Sequence, residues 1–231
     1  MKVLHILSGG AAQGLVESLR YSFESKTSHR IDGTFGAVGA MHDKLLAGVP
    51  TDLLILTSKL IARIERDGHL VPDSAKIIGG VETAIAVRRR DAAPSIGNAD
   101  SLRAALLDAD EIHVPDLEKS TAGIHFAKVL GDLGIAVRVA ARLRPAPTGR
   151  TAMRALAASK SERPIGCTQV TEILATPGLD LVGSLPPSCA LSTLYAAAVT
   201  RRAQAPEAAG RFVAMLTAES GREARGEMGF V

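Results

Sequence analysis

Three times in this chain an apolar run stops in a few small or hydroxyl residues and then passes into an amphipathic stretch. Met1-Lys2-Val3-Leu4-His5-Ile6-Leu7 ends in Ser8-Gly9-Gly10 before the helical pattern Ala11 to Phe23. Ile31 to Phe35 runs through Gly36-Ala37-Val38-Gly39-Ala40 into Met41 to Leu46, and Glu111 to Val114 runs through Pro115-Asp116 and Ser120-Thr121-Ala122-Gly123 into Ile124 to Leu133. This is the grammar of strand, tight turn and helix, and its repetition predicts parallel strands joined by crossover helices. Each such turn aims unpaired backbone N–H groups and the positive end of a helix dipole past the end of its strand, a place that suits an anion. Glycine, serine and threonine also serve in such turns as plain helix caps. What distinguishes these three is their glycine content and the lack of lysine in the first two, with only Lys119 near the third. They predict a compact anion held by backbone and hydroxyl groups. No G-x-x-x-x-G-K-[ST] occurs and Ser8-Gly9-Gly10 does not extend to G-x-G-x-x-G, which argues against a nucleotide.

The 231 residues suffice for one large domain or two lobes of roughly 100 residues each. No segment approaches the ~20 continuous apolar residues that span a bilayer, and the first apolar run reads as a core strand, not a secretory signal. The expected location is cytoplasmic, or periplasmic if a signal was removed ahead of this numbering. Cys167 and Cys189, the only cysteines, offer no metal spacing or disulfide framework and read as buried thiols in a reducing compartment. The net charge is +3, but the basic residues are scattered, aromatics are 3% and there is no Trp, so nucleic acid is not an expected partner. The one basic triplet is Arg88-Arg89-Arg90. Arg88 follows the apolar Thr83 to Val87 and is a candidate anion clamp, the other reading being a solvated strand end.

Further along, Thr51 to Leu56 reads as a strand and Ser58 to Asp67 as a helix. Ile77 to Val87 is a long extended run without helical period. A second α/β series follows: helix Ser101 to Leu107, strand Glu111 to Val114, the helix from Thr121, strand Ile135 to Val139, helix Thr151 to Ser159 and strand Pro164 to Cys167. Pro177-Gly178 and Leu185-Pro186-Pro187 read as connection, Leu191 to Val199 as an extended return, and Pro206 to Glu219 as a final helix. The expected organisation is α/β with two lobes, residues 1–79 plus 190–231 and residues 80–189, two extended crossover strands, and a ligand cleft where strand ends face one another.

Ser8-Gly9-Gly10, Phe35 to Gly39 and Ala47-Gly48-Val49-Pro50-Thr51-Asp52-Leu53-Leu54-Ile55 together resemble the type 2 periplasmic binding protein fold, most of all its molybdate-binding receptors. Pro115 to Glu118 leading to Thr121-Ala122-Gly123, Ile165 to Gln169 and the terminal Gly229-Phe230 fit the same order, so the resemblance spans nearly the whole chain. It implies two lobes, each a mostly parallel sheet flanked by helices, that close over a small anion. It also implies oxyanion contacts at Ser8 and Gly9, at Gly36 to Val38, at Thr121 and Ala122, and at Thr168 or Gln169. Gly10, Arg88 and Ser120 join these as candidate ligand residues. The sequence departs from the molybdate receptors at Gln169, where they usually carry a Tyr, and in the second turn, where Gly and Ala replace hydroxyls. Gln169 offers a donor and an acceptor, which suits a carboxylate.

Some relatives of this fold are enzymes, and aconitate isomerase is the case this chain resembles. The function this implies is binding of an unsaturated di- or tricarboxylate and its isomerisation or tautomerisation by proton transfer. A base and acid would move one proton while helix N–H groups stabilise the enolate-like carboxylate. Candidate catalytic residues are Thr168, Gln169 and Glu172; Asp116 and His113 are further proton carriers, and Thr171 and Ser120 possible relays. The plainer readings stand beside them: Glu172 as a surface residue of a short helix, Asp116 as a cap, and His113 as core, with His5 and His125 as core or surface. No metal or other cofactor is expected. The alternative function is a non-catalytic receptor for molybdate or another oxyanion, with a transporter permease as partner, or an internal sensor.

Overall fold

The computed structural model describes residues 2–231. Met1, the first residue of the first apolar run, lies outside the described residues. The chain forms two compact units, one running up to Val81 and taking in Thr193–Val231, the other comprising Glu82–Ser192.

The first unit contains β1 (Lys2–Gly9), α1 (Gln13–Lys26), β2 (His29–Gly36), α2 (Val38–Leu46), β3 (Leu53–Thr57) and α3 (Ser58–Arg66). The long strand β4 (Lys76–Arg88) begins in it and continues into the second. The second unit holds α4 (Ala99–Asp108), β5 (Glu111–Pro115), α5 (Thr121–Asp132), α6 (Ala136–Val139), β6 (Leu143–Ala146) and α7 (Gly149–Ala158). It ends with β7 (Pro164–Gln169), α8 (Val170–Leu174) and β8 (Leu179–Ser184). Then β9 (Ser192–Val199), α9 (Pro206–Thr217) and α10 (Arg222–Glu227) complete the first unit.

In the first unit β1 lies between β2 and β3, parallel to both, and β9 pairs antiparallel with β3. Leu4, Ile6 and Leu7 of β1 and Leu53 to Leu56 of β3 are buried on both faces, as a parallel sheet covered by helices requires. Phe23 of α1 and Phe212 of α9 meet edge to face at 4.9 Å in that core. In the second unit β5 lies between β6 and β7, parallel to both, with β4 antiparallel on β7 and β8 antiparallel on β4. Leu102, Leu106, Ile112, Phe126 and Leu130 pack in one cluster and Ala84, Ala152, Met153, Leu156 and Ile173 in another. Each unit thus has a central strand, two parallel neighbours and an antiparallel strand beyond, although the sequence shows no repeat.

Most elements fall where the apolar pattern puts them, with four corrections, the first being β6, Leu143–Ala146, an unexpected strand with no fully buried residue. Ile135 to Val139, expected as a strand, is the end of a turn followed by the short helix α6. A strand would place residues 135, 137 and 139 on one face; instead Ile135 and Val139 are fully buried and Val137 is 92% exposed, which is helical spacing. Leu179 to Ser184, inside a stretch read as connection, is a strand whose only fully buried member is Leu179, so its apolar signal is weak. The final helix stops at Thr217 and gives way to a 3-10 turn and α10.

Candidate functional site

In the first unit the carboxyl ends of β1, β2 and β3 lie level: Gly9 is opposite Gly36, and Ser8 is opposite both Phe35 and Ile55. Each end feeds a helix start. A 3-10 turn, Gly10–Ala12, leads into α1; Ala37 is the N-cap of α2 and Thr57 that of α3. None of these starts is capped by a side-chain hydrogen bond, whereas α4 has a full capping box between Asn98 and Ser101. The first N–H groups of a helix have no partner within it, so α2 and α3 present theirs, with the dipole, beyond the strand ends. Ser8 is fully buried and its hydroxyl donates to the Gly9 carbonyl at 2.9 Å. A Cβ on Gly9 would come within 3.1 Å of the Tyr195 ring and 3.2 Å of Val38, so glycine is what allows these two to close on the turn. The structure therefore brings Ser8, Gly9, Gly10, Gly36, Ala37 and Val38 to one edge of one sheet. It adds Thr57 and Ser58, which the sequence reading did not single out. Their signal was two hydroxyl residues at the junction of an apolar run and an amphipathic stretch.

The second unit repeats this arrangement with β5, β6 and β7, which lead to α5, α7 and α8. Ser120 is the N-cap of α5 without a side-chain bond, so the N–H groups of Thr121 and Ala122 are uncapped. The loop before it is shaped by Asp116, whose Oδ1 accepts from the N–H groups of Glu118 at 2.8 Å and Lys119 at 2.9 Å. Those two N–H groups hold the Asp116 carboxyl below its ordinary range, so it is a loop cap and stays ionised. Thr168 and Gln169 end β7, both buried, and Gln169 is the N-cap of α8.

Glu172 is not a surface residue. Its side chain is buried within the first turn of α8, and the Thr168 hydroxyl donates to its Oε2 at 2.5 Å. Backbone N–H groups of Arg150, at the start of α7, and of Gln169 also point at it. Gly149, the first residue of α7, has no room for a Cβ, which would stand 1.9 Å from Glu172 Oε2. The other cap of α7 is Thr148, whose Oγ1 accepts from the Thr151 N–H at 3.1 Å. Burial pushes the Glu172 carboxyl above its ordinary pKa, against the smaller opposing effect of those donors. The result is a buried carboxyl beside Thr168 and Gln169, on the edge where α5 also starts. The Gly149–Arg150 turn is not legible in the sequence because Pro145-Ala146-Pro147-Thr148 reads only as a proline-rich break.

Arg88 is corrected from clamp to structural pair. Its Nε donates to Asp91 Oδ2 at 2.5 Å and its Nη2 to Asp91 Oδ1 at 3.1 Å, while Nη1 and Nη2 also reach the carbonyls of Ser159 and Glu162. A buried guanidinium so engaged has little left to offer a ligand. His113 is a buried strand residue whose Nε2 lies 3.1 Å from Glu111, and burial holds its pKa below the ordinary value. His125 meets the Cys189 carbonyl at 2.7 Å, and His5, half-buried, faces Asp32. Cys167 is fully buried and its thiol pKa is pushed up by burial, so it is not a nucleophile. Among the described residues no group of three or more His, Cys, Asp and Glu side chains is placed to hold a metal, and no helix is long and apolar enough to cross a membrane.

The sequence model of a family described as bacterial extracellular solute-binding protein matches residues 4–231. An aconitate isomerase from a Pseudomonas species is 27% identical over 232 residues, covering 96% of this chain and 84% of that protein. Among solved structures, the periplasmic molybdate-binding protein of Azotobacter vinelandii superposes with a TM-score of 0.80 at 17% identity, over 99% of this chain and 98% of that one. The sulfate-binding protein SubI of Mycobacterium tuberculosis gives a TM-score of 0.78 at 16% identity, over 100% and 86%. These likenesses establish the fold as that of the periplasmic binding proteins.

Proposed function

This chain belongs to the bacterial extracellular solute-binding protein family, and we propose that it binds a small polycarboxylate and isomerises it by moving one proton. The observation that carries the binding reading is the set of helix starts at the carboxyl ends of the parallel strands. The starts leading into α1, α2, α3 and α5 lack side-chain caps; so do α6, α9 and α10, and what sets the first four apart is their place at the carboxyl ends of the parallel strands. Within the first unit Ser8, Gly9, Gly10 and Gly36 to Val38 form one proposed anion-binding edge, and within the second Ser120 to Ala122, Thr168 and Gln169 form another. Backbone N–H groups suit carboxylate oxygens and need no cationic side chain.

The likeness to an aconitate isomerase supports the chemical step. A double bond moves along a small unsaturated acid when a proton leaves a carbon next to a carboxyl-bearing one and returns at the far end of the allylic system. The intermediate carries its charge largely on a carboxylate, where helix N–H groups stabilise it. Glu172 is the proposed base: it takes the proton from the first carbon and returns it to the other, so no other reactant is consumed. Its raised pKa brings it nearer the working pH, as proton transfer favours. Thr168 orients the carboxyl through its 2.5 Å hydrogen bond. The enzyme reading goes with a cytoplasmic location.

The second reading is a receptor for molybdate, sulfate or a related oxyanion, with a transporter permease as partner, and it is favoured by the fold likeness to proteins of that kind. A thermal-shift screen against molybdate, tungstate, sulfate, phosphate and unsaturated di- and tricarboxylates separates the two, because a ligand of the folded state raises the melting temperature. A shift with cis- or trans-aconitate, followed by exchange of its carbon-bound protons with deuterated water in NMR spectra, supports the isomerase. A shift with oxyanions alone makes this a receptor.

A further inference from the structure

At the amino-terminal ends of β1 and β2, the edge of the first unit opposite Ser8 to Gly10, lies a cavity of about 540 Å³. An eight-residue strand spans about 25 Å, so this cavity is separate from the anion-binding edge described above. Its walls come from three places far apart in the chain: the first residues of β1 and β2, the end of α1 with the turn after it, and the first two turns of α9. Lys2 and His29 are register partners, so their side chains share one face of the sheet. Lys26 is the last residue of α1, and Arg211 stands on α9. Among the described residues the side chains of Lys2, Lys26 and Arg211 have no hydrogen-bond or ion-pair partner, although Glu207 lies one turn before Arg211 on the same helix. With His29 neutral, the lining carries three positive charges and one negative. The Nδ1 atom of His29 is buried and has no hydrogen-bond partner among the described residues. Buried polar atoms are nearly always paired, so this nitrogen is one that a ligand would satisfy. The nearby end of α1 does not oppose an anion strongly, because the Thr27 hydroxyl donates to the Phe23 carbonyl at 3.0 Å and covers one of its free carbonyls.

We propose that this cavity is a second anion site, which takes a compact phosphate-bearing anion of the pyrophosphate kind. It is independent of the function proposed above, since it shares no residue with either anion-binding edge. The volume lies within the range of about 300–1,000 Å³ usual for small-molecule sites and exceeds what a single tetrahedral ion fills. Lysine ammonium groups act on phosphate as compact point charges, and an arginine guanidinium as a fork. An anion with several charged oxygens close together engages Lys2, Lys26 and Arg211 at once, with His29 as a further donor when Nδ1 carries the proton. A polycarboxylate spreads its charges along a hydrocarbon, and Ala208 is the one apolar residue of the lining that could cover it.

The test is a titration of the isotope-labelled full chain with pyrophosphate at low salt, followed through backbone amide shifts in NMR spectra, with sulfate and tricarballylate, a saturated tricarboxylate, as comparisons. The amides of Ser25 to His29 and Glu207 to Arg211 are expected to shift together and saturate with pyrophosphate, at concentrations about tenfold or more below those needed with either comparison anion. Lys26→Gln combined with Arg211→Gln is expected to weaken pyrophosphate by about tenfold or more, since each charge in contact with the anion is worth about fivefold in water. Glu207→Gln is expected to tighten it by about twofold to fivefold. All three substitutions fall on exposed residues, where the fold tolerates change. A wild type with no saturating shift at these amides, or with shifts confined to Ser8 to Gly10 and Gly36 to Val38, overturns the proposal without any variant. Sulfate or tricarballylate that shifts the same amides as tightly as pyrophosphate overturns the assignment of ligand class. A folded Lys26→Gln, Arg211→Gln protein with unchanged pyrophosphate affinity overturns the site itself.

Discussion

Gly149 and Glu172, twenty-three positions apart, are fitted to each other by one missing carbon. A Cβ on Gly149 would stand 1.9 Å from Oε2 of Glu172 and 2.5 Å from its Cδ. Because Glu172 also accepts from Thr168 and from the N–H groups of Arg150 and Gln169, a single buried carboxyl ties the start of α7 to the end of β7 and the first turn of α8. The positions of α7, the end of β7 and α8 thus depend on this one group.

Gly149→Ala is therefore expected to be costly for a one-carbon change. The added methyl must displace a buried carboxyl and the Thr168 hydroxyl, and overpacking of this kind costs about 1–3 kcal/mol. Losing one of the Glu172 hydrogen bonds would put the total at the upper end. Urea denaturation should show the midpoint lowered with an unchanged slope. An alanine variant as stable as the wild type would mean that Glu172 has another place to go.

The pH dependence of stability carries the signature of Glu172. Its folded-state pKa is raised above the ordinary 4.5 by burial, so the unfolded chain releases this proton first. The sign follows from linkage: its contribution is fully present below about pH 4.5 and is lost as the pH rises through the folded-state value. The difference in unfolding free energy between wild type and Glu172→Gln should accordingly move against the wild type as pH rises from 4 toward neutrality. Taking the difference cancels other titrations, including His113, whose lowered pKa works in the opposite direction. A difference that stays flat across that range would show that the carboxyl is not desolvated in the folded chain.

Arg88→Met separates a structural arginine from a ligand clamp. The guanidinium is buried, pairs with Asp91 and donates to the carbonyls of Ser159 and Glu162. Asp91 is partly exposed and also lies 3.9 Å from Arg90, so the loss is chiefly that of the buried hydrogen bonds, about 1–3 kcal/mol. Stability should fall by that order, while the protein that remains folded binds anions with unchanged affinity. An affinity loss of tenfold or more in folded protein would return Arg88 to the ligand site.

The parallel strands and the turns after them were legible in the sequence because both are local. Val3 to Leu7 and Ile31 to Phe35 are apolar runs, and the glycines after them are contiguous in the chain. Ile135 to Val139 was misread because three apolar residues at alternate positions look like a strand until burial separates Val137 from its neighbours. Leu143 to Ala146 and Leu179 to Ser184 escaped because edge strands that bury little leave little apolar signal. The partnership of Gly149 with Glu172 could not be read at all. Nothing near Gly149 in sequence announces a carboxyl, and Glu172 in Val170 to Leu174 has the look of a solvated helix residue. Arg88 misled for a related reason, since its partners Ser159 and Glu162 lie more than seventy positions on.

Ser58→Pro tests the open helix starts themselves. Ser58 is the first residue of α3, and Thr57 before it has an extended backbone at φ −62° and ψ 142°, which proline tolerates in its predecessor. Proline is well suited to the first helical position, because the N–H it lacks has no partner inside the helix. The substitution deletes one backbone donor and leaves the helix its geometry, so unfolding free energy should change by less than about 0.5 kcal/mol. If α3 contributes to the anion site, the lost bond to a charged oxygen is worth about 1.5–3 kcal/mol, and titration calorimetry should show affinity reduced by tenfold or more. Unchanged affinity with a stable fold would remove α3 from the anion-binding edge of the first unit and leave Ser8 to Gly10 and Gly36 to Val38.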